Sequence, residues 1–214
     1  MIDRSRLAFS GNGRRILLAA CIILLAGVTF LAAETEPDWP CVQRLVPRVS
    51  AGMVWSGPAL ENAPDWRSDL EVAKLAGELR DRALPMGEAE ARVEAFADAQ
   101  SADKDRRLTM LFAGILDNIN TERSSVIDGI KRYARRQQAL AARIESTLAE
   151  IDALPKVGGS AEEASRRLEL NERNTWDSRI YEERERSLAY LCETPVLLEQ
   201  RVFALGRTIQ NFLD

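Results

Sequence analysis

Between residues 103 and 154 apolar side chains recur in steps of three, four and seven: Leu108, Phe112, Ile115, Ile119, Val126, Ile130, Tyr133, Leu140, Ile144, Leu148 and Ile151. That period lays them along one stripe of a long helix. No proline interrupts the run, and the only glycines in it are Gly114 and Gly129. "PKVGGS" at 155–160 breaks it. Ser160, followed by Glu162 and Glu163, is a good helix start, with an oxygen to cap the first N–H groups and acids at the positive end of the dipole. Leu188, Leu191, Leu198, Val202, Leu205, Ile209 and Phe212 then keep a near-heptad spacing to the end of the chain. Pro195 lies inside this second run and is expected to kink or restart the helix. Two shorter helices come earlier. Asp65 or Ser68 caps the first, whose stripe is Leu70, Ala73, Leu75, Ala76 and Leu79 before Pro85 and Gly87; the second covers 88–99, with Ala91, Val93, Ala95 and Phe96.

Two long helices joined by a short loop fold back on each other. The expected fold is therefore all-α: a helical bundle base with a long antiparallel coiled-coil hairpin, arms at about 103–154 and 161–213, and an extended N-terminal strap. A turn centred between Lys156 and Gly159 sets Arg143 opposite Glu172, Arg132 opposite Glu183 and Leu148 opposite Leu168. The basic "KRYARR" at 131–136 then faces the acidic "YEERE" at 181–185. Each exposed pair is worth only about 0.2–1 kcal/mol, so the matching sets register more than stability. It also makes the basic cluster one side of a paired hairpin rather than an anionic-lipid or nucleic-acid patch.

Residues 34–64 have a different character. Pro37, Pro40, Pro47, Pro58 and Pro64 exclude a long helix. Trp39, Val42, Val46, Val49, Val54 and Trp55 are too apolar for a free linker. The segment reads either as an extended strap lying on the helices or as a contact surface for a partner, with Trp39 and Trp55 as its anchors. Ahead of it, Arg4, Arg6, Arg14 and Arg15 precede the uncharged run 16–33, the layout of a secretory signal peptide or, left uncleaved, of an N-terminal membrane anchor. Either way the remainder is expected outside the cytoplasm, periplasmic or anchored facing the periplasm. "LAAC" at 18–21 matches a lipoprotein box by chance, because too few apolar residues precede Cys21. Removing 1–33 leaves Cys41 and Cys192 as an even pair, and an oxidising compartment favours their joining. In the chain-entropy view, closing so long a loop stabilises by roughly 4–5 kcal/mol.

Composition narrows the chemistry. The 214 residues contain no histidine, which removes His-based acid–base catalysis, nucleophile activation and metal ligation. Aromatic residues are 6%, low for a sandwich or barrel. The formal charge of −4 becomes −7 without the first 33 residues, which opposes sequence-independent nucleic-acid binding. No phosphate loop, dinucleotide fingerprint, Ser-centred elbow or CxxC is present. "DNINTERSSVIDG" fails as a calcium loop because Ile119 stands at its third position and no glycine at its sixth. Glu182 and Glu183 read as solvated helix charge. No cofactor or metal is expected. Trp176, in "NERNTWDSR", falls on a thin two-helix section, where it either clamps the hairpin or anchors a partner.

"DWPCVQRLVP…VWSGP", over about residues 38–58, resembles the start of uncharacterised exported bacterial proteins. The resemblance implies an envelope location in a bacterium with a periplasm and carries no activity. The expected function is thus a non-enzymatic interaction protein (adaptor, assembly factor or scaffold) with an envelope protein partner or a second copy of itself. The alternative is a helical ligand-binding protein or enzyme with a groove between the base helices and the strap.

Overall fold

The computed structural model describes residues 38–214. The leader or anchor expected at 1–33, and the first four strap residues, lie outside the described residues. Among those described there is no strand. The elements are a single helical turn α1 (Ala51–Val54), two 3₁₀ turns (Leu60–Asn62 and Trp66–Ser68), α2 (Leu70–Arg80), α3 (Met86–Asp98), and two 50-residue helices, α4 (Lys104–Ala153) and α5 (Ala161–Gln210).

The long helices start and stop where local chemistry directs. Ser160 Oγ accepts from Glu163 N at 3.2 Å, and Glu163 Oε2 accepts from Ser160 N at 2.6 Å, so two orphan donors at the α5 N-terminus are satisfied reciprocally. Arg167 donates to the carbonyls of Ile151, Leu154 and Pro155 and so covers the end of α4. Gly158 turns the loop at φ +79°, a conformation that side chains with a Cβ rarely take. Pro195 lies inside a continuous α5, so the helix does not restart there. It is buried, and its carbonyl accepts from Arg123 Nε across the helix pair, so a tertiary contact holds the backbone beside the missing N–H.

α4 and α5 pack against each other along their length. Tyr133 Oη donates to Arg184 O, Gln137 Nε2 to Tyr181 O, and the Arg143 guanidinium grips Asp177 at 2.7 and 2.5 Å. These partners lie roughly one turn further along α5 than expected. Arg143 meets Asp177, not Glu172; Arg132 is exposed and forms no ion pair among the described residues; Glu183 pairs with Arg179 on its own helix; Leu148 and Leu168 are both exposed. The turn itself falls where anticipated. The offset arises because side chains lean toward their own helix N-terminus, in opposite senses on the two arms of a hairpin, and this moves every cross-arm partner in the same direction.

At the base, α2 lies on α4 and α3 on α5. Asp69 caps α2, accepting from Glu71 N and Val72 N, and its carboxylate also takes two bonds from Arg107 of α4. Hydrogen bonding to Arg107 is the main reason the Asp69 pKa is lowered; burial opposes it, and the two backbone donors add to the lowering. Arg107 further reaches Glu71 and Gln100 and lies over the Phe96 ring. The core gathers Val72, Ala76 and Leu79, then Ala89, Val93, Phe96 and Ala97, then the α4 and α5 stripes. Two of the short-helix stripes are phased differently from expectation: Leu70 is exposed in α2, and Ala91 and Ala95 in α3, because Val72 and Ala89 take the inward positions. Gly114 lets α2 and the Trp66 turn approach, since a Cβ there would stand 2.9 Å from Ala76 Cβ.

Candidate functional site

The strap is the first feature the base positions. It contains the turn α1 and a 3₁₀ turn, so it is less extended than expected, yet it runs steadily down α4 in the opposite sense. Asp38 pairs with Arg135, Val46 O accepts from Arg123, the Val49 backbone meets Asn120, and Trp55 stacks on Phe112 with ring centroids 4.2 Å apart. Cys41 and Cys192 are joined, with S–S 2.00 Å and Cα–Cα 5.6 Å, a separation suited to a disulfide. Asn120 supplies the polar counterpart of that bond. Its Oδ1 accepts from Val49 N at 2.8 Å and its Nδ2 donates to Val49 O at 3.0 Å, so one buried side chain satisfies both backbone groups. Arg123 is 4% exposed and contacts Val46 O, Pro195 O and Glu199, which links the strap to both long helices. Burial pulls its pKa below the ordinary arginine value, and the Glu199 charge offsets part of this. Gly206 permits the closest approach: a Cβ would lie 2.7 Å from Val54 O.

These contacts separate Trp39, Trp55 and Trp176. Trp55 is not an outward anchor. Its ring packs on the core and its Nε1 donates to Pro58 O. Trp39 is half-buried and donates to Gln43 O at 2.6 Å, which folds the turn that carries Cys41. Trp176 alone projects, 56% exposed on the outer hairpin. Leu168, Ile180 and Tyr190 are exposed on the same helix. At 100° per residue these four fall within about a third of the helix circumference, apart from the buried Leu170 and Asp177. They share that arc with the exposed Glu169, Glu172, Arg179, Glu183, Arg186 and Ser187, so they are large side chains set singly along a charged face.

A second feature was not visible in the sequence reading. Arg201, 8% exposed, donates through Nε to Leu79 O at 2.6 Å and through Nη1 to Leu84 O at 3.1 Å, so it covers carbonyls at the end of α2. Its Nη2 is buried without an acceptor among the described residues. No carboxylate pairs with it there. Desolvation is the main reason its pKa is lowered, with the nearby charges of Asp81 and Glu122 acting the other way. Arg201 lines a cleft of about 520 Å³ with Arg82, Met86, Leu197, Gln200 and Ala204. Asn120, Arg123 and Arg201 share one signal: each is a polar residue at a position within or beside an apolar stripe, where a side chain is forced inward and must find partners.

Among the described residues no cluster of three or more Cys, Asp or Glu side chains is placed to hold a metal ion, and no helix is long and apolar enough to cross a membrane. The chain matches no protein-family model, no curated protein and no solved structure.

Proposed function

We propose that this protein is a non-enzymatic interaction protein of the cell envelope, an adaptor, assembly factor or scaffold, whose hairpin is an antiparallel coiled coil that presents a contact face. The observation that carries the reading is the row Leu168, Trp176, Ile180 and Tyr190. Exposed large side chains on one side of a long helix, two of them Trp176 and Tyr190, favour association, and tryptophan and tyrosine are the residues on which binding energy concentrates. The Cys41–Cys192 bond supports placement in an oxidising compartment such as the periplasm. The base supports the same division of roles, since its interior is filled by aliphatic side chains around Phe112.

A photo-crosslinking residue at position 176 or 190 tests the reading in intact cells. It should give a discrete adduct with an envelope protein or with a second copy of the chain, whereas the same probe at Leu70, exposed on the base, should not. Equal labelling from all three positions, or none from 176 and 190, would refute the contact face.

A further inference from the structure

We infer that the cleft beside Arg201 binds a small carboxylate carried on a short apolar chain, a site independent of the hairpin face. A purely structural role accounts for two of the guanidinium nitrogens, Nε and Nη1, which cover carbonyls of Leu79 and Leu84. It leaves Nη2 unexplained: a buried nitrogen with no acceptor and no ion pair among the described residues, on a side chain more than nine-tenths buried that lines a cleft. A buried guanidinium is normally paired with an anion, because its charge has lost its water. The cleft has the dimensions of a small-molecule site, about 520 Å³. Its lining is half of each kind. Met86, Leu197 and Ala204 offer apolar surface, while Arg82, Gln200 and Arg201 offer donors.

The charge of the ligand follows from the surroundings. A planar carboxylate matches the fork of a guanidinium, and Asp81 and Glu122 nearby favour a ligand of low charge over a highly charged one. Nη2 is shut off from water, so the carboxylate reaches it only as a side chain at the lip turns aside. Met86 lines the cleft with its Sδ 4.0 Å from Nη1 of the same guanidinium, and an unbranched thioether moves readily between rotamers, so Met86 is the side chain the proposal requires to turn. Leu197 and Ala204 then receive the apolar chain.

Hexanoate is the probe, with hexanamide as its neutral counterpart, titrated into the full-length oxidised protein by ligand-observed NMR. Hexanoate is expected to bind at least tenfold more tightly than hexanamide, and Arg201→Gln to abolish that preference. Should Arg201→Gln fail to fold, Leu197→Glu serves in its place: Leu197 is 46% exposed, and an acid there occupies the site in cis, so hexanoate binding should fall at least tenfold with the fold intact. No hexanoate binding, equal binding of hexanamide, or unchanged binding to Leu197→Glu would each overturn the assignment. Adducts from position 176 bear on the hairpin alone, so the two proposals fail separately.

Discussion

The two ends of the α4–α5 pair are built from the same helices and use different interiors. At the base, Phe112, Ile115 and Ile119 face Leu198, Val202, Leu205 and Ile209, all but fully buried and closed over by α2, α3 and the strap. Along the outer hairpin the buried positions include Gln137, Thr147 and Asp177, interspersed with Ile130, Ala134, Leu140 and Leu170. Two helices alone cannot enclose a wide apolar stripe, so the outer section settles its register with directional bonds, Tyr133 to Arg184, Gln137 to Tyr181 and Arg143 to Asp177. Trp176 and Tyr190 are left on the outside. Stability therefore resides in the base, and the outer section trades core for reach and exposed surface.

Substitutions should respect that division. The largest effect is expected from Phe112→Ala, which removes the ring under Trp55 and should cost about 3–5 kcal/mol in chemical denaturation. Next comes loss of the disulfide. Cys41→Ser with Cys192→Ser should lower stability by about 2–4 kcal/mol under oxidising conditions and leave the reduced protein unaffected, as read from paired melts with and without reductant. Asn120→Ala leaves the Val49 N–H and C=O buried without partners and should cost about 1–3 kcal/mol, with faster amide exchange at Val49 as the local signature.

Much of the fold was legible because hydrophobic period is a strong signal over 50 residues. The seam from Leu108 to Ile130, the break at 155–160 and the Ser160 cap follow from the residues themselves. The cross-arm partners were not legible, because sequence spacing locates Cα positions while ion pairs depend on where long side chains lean; Arg143 reached Asp177 for that reason. Short helices were misphased at Leu70 and Ala91, where a single turn of error changes which residue faces inward. The local rule for Pro195 allowed a restart, and the helix runs on through it with its carbonyl held by Arg123. Arg201 was invisible as a site, since arginine on a helix ordinarily reads as solvated, and only the packing of α2 against α5 encloses it.

A smaller effect ties the base to pH. The Asp69 carboxyl, held by Arg107 and two backbone donors, has its pKa lowered below the ordinary value near 3.8. A depressed folded-state pKa contributes stability that is complete above the unfolded value and is lost as pH falls below it. Asp69→Asn should thus flatten the decline in stability below about pH 4, measured as melting temperature against pH, while changing little in the slope above pH 6.

The most direct measurement is the unfolding free energy of the double variant Trp176→Ser with Tyr190→Ser. Both side chains lie on the exposed row of the outer hairpin. If that row exists for contact, the free energy should stay within about 0.5 kcal/mol of the parent, as surface substitutions do. A loss of 2 kcal/mol or more would mean that the rings hold the hairpin together, and the division between a stabilising base and a contacting rod would be wrong.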